Sequence, residues 1–424
     1  MLLKNARVVN PCDNFDNMTD IRIENGVISE FAPEINAKNG EETVDLTGKV
    51  VTSGLVDMHC HLREPGFSAK ETIKTGMLSA IEGGYTAICP MANTKPCVDN
   101  PATLIYTIKK AKEVSDMGFH PICAVTQGLN SEKIVNVSEL IDLGAIAFSD
   151  DGKPIENMRI LREAIKYINS HNKVVISHSE DVSLSENGVI NEGKVSAKLG
   201  LRGIPAITES LAVARELEVV RSIGGRYHFA HISTKRSIEL IRQAKKEGLR
   251  VTAETAPHYF SLTEDNITEY DAKYKVNPPL RTKEDLEAVI EGLKDGTIDV
   301  IATDHAPHTA SEKQSPIQIA PMGISGFETA LGLTLTNLVH TGKLTLIEAL
   351  KKLNYNPAKI LGIKNQGVIK VGLPANLTII DLNEEWVVNA AKFKSKCRIS
   401  PFDNFKLKGR AKMTIIKGKI TEIG

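Results

Sequence analysis

The chain has 424 residues, a length that suits one large domain with an attachment better than a single small core. Its 52 basic and 52 acidic side chains cancel, so the sequence offers no basic field for nucleic acid and no acidic tail. The apolar stretches are short and interrupted, which argues against a membrane span, and Lys4, Asn5 and Arg7 break any signal-peptide core.

Both ends of the chain predict short β-strands separated by turns. The predicted strands cover residues 2–9, 20–23, 27–31 and 42–45 at the amino end and lie within 367–382 and 411–423 at the carboxyl end. Asn25-Gly26 and Lys417-Gly418 are typical of tight hairpin turns. Neither end is long enough for a core of its own, so residues 1–50 and 366–424 are predicted to form one small composite β-domain.

Between these ends the apolar pattern alternates between strand and helix periods. After the strand that ends near residue 61, strands are predicted at 86–90, 121–125, 145–148, 173–177, 226–230, 250–253 and 299–303. Helices are predicted at 70–82, 101–117, 131–143, 157–170, 206–223, 235–247, 283–294 and 326–339, with a further helical stretch at 346–361. Eight strand and helix units predict an α/β fold, a (β/α)8 TIM barrel covering residues 51–365.

The first predicted barrel strand ends in two histidines that are two residues apart. In an extended strand His59 and His61 project to one side and Cys60 to the other. Two imidazoles that converge on one point suit a divalent metal such as zinc, which binds ring nitrogens at about 2.0–2.1 Å. Because the same spacing also occurs in histidines that serve only the core, the metal hypothesis depends on further ligands.

Other polar residues fall at the carboxyl ends of predicted strands, the rim on which barrel active sites lie. The fourth strand leads into Asp151, the fifth into His178, the sixth into His231 and the eighth into Asp304. Taken singly, each has a structural alternative as a turn residue, a hydrogen-bonded core histidine or a helix cap. Taken together with His59 and His61 on one rim, they predict a metal centre. By contrast, His258, His305 and Cys60 are assigned no ligand role.

Further polar groups on the same rim are typical of a site for a carboxylate. Arg63 follows the two histidines, and Asn93, Asn277 and His308 lie in loops after the second, seventh and eighth strands. A guanidinium fork with amide and imidazole donors nearby suits a carboxylate, with a rim salt bridge and turn positions as the alternatives. The irregular segment 311–326 is predicted to close over a ligand as a lid.

The combined motifs resemble the amidohydrolase superfamily and, within it, the type I dihydroorotases of pyrimidine biosynthesis. The resemblance covers nearly the whole chain. It rests on HLREPG at 61–66, MANTKP at 91–96, SDDGKP at 149–154, His178, His231, VNPPLR at 276–281, TDHAPH at 303–308 and GISGFETAL at 323–331. Many amidohydrolases bridge two metals with a carbamylated lysine from the fourth strand. This chain has Asp151 there and no lysine within that strand, so the resemblance implies bridging by the carboxylate.

The resemblance implies two zinc ions per subunit. His59, His61 and Asp304 would bind one ion and His178 and His231 the other, with Asp151 between them. A metal-bound hydroxide would act as nucleophile, with Asp304 as general base and acid, in the reversible cyclisation of N-carbamoyl-L-aspartate to L-dihydroorotate and water.

The same resemblance implies a set of substrate contacts. Arg63, Asn93 and His308 would hold the substrate carboxylate, while Asn277 and the backbone of Met322 and Gly323 would hold the ring. His61 is also counted among the residues that contact the substrate.

Two other functions stay open on the sequence. A hydantoinase or dihydropyrimidinase would share the metal centre, but its neutral ring offers no carboxylate for Arg63. A non-catalytic dihydroorotase-like scaffold for aspartate transcarbamoylase would have lost ligand positions, which are all filled here. The resemblance leaves open a homodimer and an association with that transcarbamoylase, and implies neither nucleic acid nor membrane as a partner.

The six cysteines are scattered without Cys-x-x-Cys spacing, several of them in apolar strand-like runs. This pattern favours buried free thiols over disulfides or a thiolate metal site, and with it a cytoplasmic location. The cysteines are Cys12, Cys60, Cys89, Cys97, Cys123 and Cys397.

Overall fold

A computed structural model describes residues 1–423 of the protein. Its strands, in chain order, are β1 (Leu2–Asn10), β2 (Phe15–Glu24), β3 (Val27–Ala32), β4 (Thr43–Asp45), β5 (Val50–Ser53), β6 (Leu55–Cys60), β7 (Tyr85–Pro90), β8 (Gly118–Phe119), β9 (Ile122–Cys123), β10 (Ala147–Ser149), β11 (Val175–Ser177), β12 (Ile190–Asn191), β13 (Gly203–Ile204), β14 (Tyr227–Phe229), β15 (Val251–Thr255), β16 (Val300–Ile301), β17 (Leu377–Val387), β18 (Lys406–Ile416) and β19 (Lys419–Glu422).

The α-helices are α1 (Ile73–Glu82), α2 (Pro101–Val114), α3 (Val137–Asp142), α4 (Met158–Ser170), α5 (Val182–Ser185), α6 (Lys194–Leu199), α7 (Ile207–Ile223), α8 (Lys235–Lys246), α9 (Lys283–Asp295), α10 (Ala310–Lys313), α11 (Phe327–Thr334), α12 (Leu346–Leu353) and α13 (Tyr355–Leu361). Single 3-10 turns occur at Gln127–Leu129, Pro257–Phe260, Glu264–Asn266, Ala272–Tyr274 and Ala390–Lys392, and a π-helical turn at Leu335–Val339. None of the helices within residues 1–423 has the length and apolarity needed to cross a membrane.

Both ends of the chain meet in one eight-stranded sheet, ordered β19-β18-β17-β5-β1-β2-β3 with β4 also paired to β1. The junction is β5, which lies parallel to β1 and antiparallel to β17. The two predicted hairpin turns form, with positive φ at Asn25, Gly26, Lys417 and Gly418. They also pack on each other, because a Cβ on Gly26 would lie 2.6 Å from the Lys417 carbonyl oxygen. This shared sheet supports the proposed composite β-domain, and β5 spans its predicted boundary at residue 50.

The middle of the chain holds two parallel sheets, β6-β7-β8 and β9-β10-β11-β14-β15-β16. The alternation of buried strands with amphipathic helices therefore gives the α/β fold that the sequence predicts. A hydrogen bond joins the two sheets on one side, and the chain itself joins them on the other, where β8 leads through His120 into β9. The backbone N–H of His61 donates to the His305 carbonyl at 2.8 Å, and the N–H of His120, between β8 and β9, donates to the Ile88 carbonyl at 3.0 Å.

Some elements differ from the sequence-based prediction. The helix predicted at 131–143 begins only at Val137, because the preceding segment turns through positive φ at Gly128, Leu129 and Ser131. Residues 178–206, for which no element is predicted, contain α5, α6 and the short parallel pair β12-β13. That pair is held by a distant residue, since Arg281 donates to the Asn191 side chain at 2.8 Å and to the Ile204 carbonyl at 3.1 Å.

The helical stretch predicted at 346–361 is divided into α12 and α13 at Asn354, which caps α13. The six cysteines are free thiols. Four of them are buried and two partly buried, in the order Cys60, Cys89, Cys123 and Cys397, then Cys12 and Cys97.

Candidate metal centre and substrate cavity

The six predicted metal ligands gather where five parallel strands end. His59 is the last residue but one of β6 and His61 follows the strand, while the other four lie within three residues of the ends of β10, β11, β14 and β16. All six side chains are buried, with relative exposures from 0 to 7%. These are His59, His61, Asp151, His178, His231 and Asp304.

Asp151 lies at the centre of this group. Its Oδ1 atom is 3.5 Å from Nε2 of His59 and 3.6 Å from both Nδ1 of His178 and Nε2 of His231. Its Oδ2 atom is 3.5 Å from Nε2 of His61. These separations are long for hydrogen bonds. Two ligand atoms that bind the same tetrahedral zinc at about 2.0–2.1 Å lie about 3.3 Å apart, which is close to the separations seen here.

Asp304 lies on the side of the first two histidines. Its Oδ1 atom is 3.2 Å from Nε2 of His61 and 3.6 Å from Nε2 of His59. Asp151 belongs to two groups of three candidate ligands, and within each group the ligand atoms lie within 4.8 Å of one another. The first group adds His59 and His61, and the second adds His178 and His231. The geometry therefore offers room for two neighbouring cations with a carboxylate between them.

Besides Nδ1 of His231, two atoms that face the inside of the centre are buried without a hydrogen-bond partner, Nε2 of His59 and Oδ1 of Asp151. A buried polar atom left unpaired costs roughly 1–3 kcal/mol, so native proteins rarely keep one without a use for it. Both atoms are of the type that binds zinc, and they face each other at 3.5 Å. The residues present therefore fit a divalent metal.

The far nitrogens of three of these histidines are held by other side chains. Nδ1 of His59 is 2.5 Å from Oε1 of Glu254, and Nδ1 of His61 is 2.9 Å from Oδ1 of Asn93. Nε2 of His178 is 2.8 Å from Oε2 of Glu180. Such contacts orient imidazole ligands and fix which nitrogen is free for the metal.

Glu254 and Glu180 contact predicted metal ligands, and the sequence reasoning missed both residues. Glu254 lies within the buried strand β15, where an acidic side chain is unusual, and Glu180 lies two residues after His178. Burial alone would raise the pKa of Glu254, but the charge of His59 and hydrogen bonds from His228 and His59 lower it to about 2. Burial would likewise raise the pKa of Glu180, and the bond from His178 lowers it to about 2. Both side chains are therefore carboxylates at neutral pH.

A cavity of about 200 Å³ opens beside the metal centre. Besides metal-site residues, its walls include predicted substrate contacts, namely Arg63, Asn93, Asn277, Met322 and Gly323. The Nε–H of Arg63 donates to the Pro307 carbonyl at 3.2 Å. Gly323 has φ +126, and a Cβ there would lie 2.5 Å from the Ala306 carbonyl oxygen, so this wall requires glycine.

His308 lies behind that wall and not among the cavity-lining residues. Its pKa is lowered to about 2 by burial and by the nearby charges of Arg63 and Lys70, so the ring is neutral. Nε2 then donates to the Met322 carbonyl at 2.8 Å, while Nδ1 accepts from Lys70 Nζ at 3.2 Å. In this arrangement both ring nitrogens are occupied by protein groups, and the predicted contact of His308 with a substrate carboxylate stays a prediction.

Two buried lysines form hydrogen bonds with backbone carbonyls that hold the predicted lid, residues 311–326, in place. Lys275 Nζ donates to the carbonyls of Ile317 and Gln318 at 2.8 and 3.1 Å. Lys313 Nζ donates to the carbonyls of Lys275 and Pro321, each at 3.2 Å. These bonds hold the segment in the position in which Met322 and Gly323 form one wall of the cavity.

The three positions that were assigned no ligand role are not among the grouped candidate ligands of residues 1–423. His305 stacks on Phe327 with ring centroids 4.2 Å apart, His258 packs on Tyr259, and Cys60 belongs to the hydrophobic core. A larger cleft of about 860 Å³, between α1, α11 and the segment that follows β17, contains none of the predicted site residues.

Comparison with known proteins gives related sequences and folds. A profile described as Dihydro-orotase-like matches residues 48–237. A dihydroorotase of Acetivibrio thermocellus is 48% identical over 420 residues, covering 99% of this chain and 98% of that protein. A dihydroorotase of Geobacter metallireducens is 46% identical over 420 residues, covering 99% of each.

Solved structures show the same fold. The L-hydantoinase (dihydropyrimidinase) of Arthrobacter aurescens superimposes with a TM-score of 0.90 at 26% identity, covering 100% of this chain and 96% of that one. A dihydropyrimidinase of Brevibacillus agri does so with a TM-score of 0.84 at 20% identity, covering 100% and 95%, which supports the fold alone. By the full-length identity to its sequence relatives, this chain belongs to the dihydroorotase family.

Proposed function

We propose that this protein is a zinc-dependent dihydroorotase that interconverts N-carbamoyl-L-aspartate and L-dihydroorotate plus water in pyrimidine biosynthesis. The observation that carries the proposal is one small cavity lined both by the metal centre and by Arg63. A guanidinium beside a hydrolytic metal site suits a cyclic amide that also bears a carboxylate. The two dihydroorotases reported above, 48% and 46% identical to this chain, support the same reaction.

The metal ions would be held by the buried cluster. His59, His61 and Asp304 would bind one zinc and His178 and His231 the other, with Asp151 shared. When bound, the two ions would lower the pKa of a water molecule to near neutrality and polarise the amide carbonyl of the substrate. The two unpaired atoms of His59 and Asp151 support these assignments.

Asp304 would carry the proton during the reaction. Burial alone would raise its pKa, but the hydrogen bond from His61 and the charges of His59, His61 and His231 lower the pKa below its usual range. The carboxylate is therefore ionised and free to accept a proton from the attacking water. It can then deliver that proton to the ring nitrogen as the amide bond breaks, as a general base and acid.

Arg63 and Asn93 would bind the carboxylate of the substrate. The Asn93 carbonyl oxygen is already occupied by His61, so its amide N–H groups are the atoms left for a ligand. His308 would join them if its ring left the Met322 carbonyl. Asn277 and the backbone at Met322 and Gly323, on the same cavity, would contact the ring.

The proposal also includes a closed barrel and a cytoplasmic location. The contact between His61 and His305 on one side, and the direct passage of β8 into β9 on the other, support a closed (β/α)8 barrel at residues 51–365, beside the composite β-domain of 1–50 and 366–424. The free cysteines support a cytoplasmic location.

A direct assay tests the reaction. The purified protein is measured with L-dihydroorotate, hydantoin and dihydrouracil, each with and without added aspartate transcarbamoylase. We expect hydrolysis of L-dihydroorotate, and synthesis from N-carbamoyl-L-aspartate in the reverse direction. Turnover of hydantoin without turnover of dihydroorotate would overturn the proposal and favour a hydantoinase, to which the fold is similar. No turnover under any condition would favour a non-catalytic scaffold.

A further inference from the structure

Glu180 contacts both a predicted metal ligand and a predicted substrate contact. Its Oε2 atom is 2.8 Å from Nε2 of His178 and 2.9 Å from Nδ2 of Asn277. The two partners come from different strand ends, and the carboxylate between them is 15% exposed. Neither the sequence motifs nor the proposed reaction gives this residue a role.

We propose that Glu180 is a positioning residue that couples the second metal site to substrate recognition. By accepting hydrogen bonds from both partners, it would turn Nδ1 of His178 towards the metal and the carbonyl oxygen of Asn277 towards the substrate. The inference rests on the proposed function and extends it to a residue that touches neither the metal nor the substrate.

The first half of this role follows from the chemistry of imidazole. A carboxylate only accepts hydrogen bonds, so Nε2 of His178 carries the hydrogen and Nδ1 carries the lone pair of a neutral ring. That Nδ1 atom is 2.8 Å from Nε2 of His231 and 3.6 Å from Asp151, inside the metal cluster. Glu180 thus selects the nitrogen that the second metal needs.

The second half follows from the chemistry of the amide. The Nδ2 group of Asn277 donates to Glu180, so Oδ1 is the polar atom that remains for the cavity that Asn277 lines. Asn93 has the opposite orientation, because its Oδ1 faces His61 and its N–H groups remain. The cavity therefore presents donors at Asn93 and Arg63 and an acceptor at Asn277. This matches a ligand with a carboxylate at one end and an N–H group at the other.

The test compares Glu180→Ala and Glu180→Gln with a matched neighbour, Asp181→Asn. Asp181 pairs with Arg215 at 3.3 Å and caps α5 through the Ser183 N–H, outside the cavity. Zinc-loaded proteins are dialysed against a chelator and their metal content is measured, and KM and kcat are measured with L-dihydroorotate. A structural fault alone would lower the fraction of active protein without raising KM.

We expect Glu180→Ala to retain close to one zinc per subunit under conditions in which the wild type retains two, since loss of such a partner weakens metal binding by about 10–100-fold. We also expect its KM to rise about tenfold. Glu180→Gln should recover part of both losses, because its carbonyl oxygen can accept the same bonds, and Asp181→Asn should match the wild type. Glu180→Ala with two retained ions and an unchanged KM would overturn the inference.

A double variant separates the effect of Glu180 on substrate binding through Asn277 from its effect on zinc retention. In an Asn277→Ala background, Glu180→Ala should raise KM no further but should still reduce zinc retention. A full additional rise in KM would contradict the coupling through Asn277. If the wild type does not hydrolyse dihydroorotate, the proposed function fails, whereas zinc retention by Glu180→Ala still decides whether Glu180 positions His178.

Discussion

The two ends of the parallel strands differ in the hydrogen-bond partners of their buried polar groups. At the amino end, Lys352 Nζ donates to the Ile298 carbonyl at 2.7 Å and Asn356 donates to the Asp299 carbonyl at 2.7 Å. At the carboxyl end, Nε2 of His59 and Oδ1 of Asp151 are buried and unpaired. Unpaired buried atoms also occur near the amino end, as at Nε2 of His120, but within residues 1–423 the groups of side chains that could hold a metal ion lie at the carboxyl end.

Backbone conformation shows the same contrast. At the carboxyl end Arg63, His231 and Asp304 have φ of 60, 34 and 45°, a region that side-chain-bearing residues avoid at a cost of order 1–3 kcal/mol each. At the amino end the positive φ angles at helix ends fall on glycine, as at Gly248 and Gly296, or on asparagine, as at Asn172, the residue types that adopt them most readily. Around the parallel strands, positive φ on residues other than glycine and asparagine thus falls at the end where chemistry is proposed.

The largest expected effect comes from removing the central carboxylate of the carboxyl end. Asp151→Ala should lose both metal ions and, with them, several kcal/mol of transition-state stabilisation, on the order of 10³-fold in kcat/KM. Elemental analysis and steady-state kinetics measure the two losses. Full retention of two metals by this variant would contradict the shared role of Asp151.

The neighbouring Asp150 supplies a contrast for that variant. Its Oδ1 atom accepts from the N–H groups of Val125 and Thr126 at 2.7 and 3.0 Å, so its partners belong to the protein. Asp150→Asn keeps that acceptor oxygen and should retain both metals. Loss of metal from Asp150→Asn as complete as from Asp151→Ala would break the distinction between paired and unpaired carboxylates.

A smaller effect is expected at Arg63, which lines the cavity and is proposed to bind the substrate and not the metal. Arg63→Ala should lower kcat/KM for L-dihydroorotate by about 10²-fold, because a charge-assisted hydrogen bond to a carboxylate contributes about 1.5–3 kcal/mol. Zinc content should stay at the wild-type value. Arg63→Lys keeps the charge without the planar fork and should recover only part of the activity. Unchanged kinetics in Arg63→Ala would remove the reason for an acidic substrate.

The sequence predicts the candidate metal ligands at the carboxyl end better than it predicts the residues that contact and orient them. The alternation of side chains along β6 is a local property, so the sequence predicts that His59 and His61 face one way, and both lie 3.5 Å from Asp151. Glu254 contacts His59 across 195 residues of sequence, and Glu180 contacts Asn277 across 97. The local spacing of side chains along a strand or helix cannot predict such contacts. For the same reason α5, α6 and the β12-β13 pair were missed, since Arg281 holds that pair from more than 70 residues away.

Removing the metal should affect the two ends differently. A ligand held at 1,000 times its dissociation constant stabilises the native state by about 4 kcal/mol. Stripping zinc with a chelator should therefore lower the melting temperature, and zinc added back should restore it. Hydrogen exchange should speed up at the amides of His61 and Asp304 and stay unchanged at Tyr227, where β14 begins. Equal acceleration at both ends would mean that the metal supports the whole fold and not only its carboxyl end.

The effect expected at the amino end should appear in the stability of the protein and not in its activity. Burial lowers the pKa of Lys352 to about 8 from its ordinary value of 10.5. Between these pH values the unfolded chain holds a proton that the folded chain has released. The free energy of unfolding should therefore rise with pH from 8 to 10.5, by at most about 3 kcal/mol for this group.

Lys352→Met removes the titrating group while keeping a long apolar side chain, so its unfolding free energy should rise less between pH 7.5 and pH 9.5 than that of the wild type. Urea unfolding at the two pH values measures the difference, and Lys351→Met, at an exposed position next to it, should follow the wild type. Parallel pH dependence in Lys352→Met and the wild type would show that the lysine is not held in an unfavourable charged state. Because Lys352 lies at the end away from the cavity, kcat/KM at pH 7.5 should stay unchanged, and a large loss would show that the two ends do not act independently.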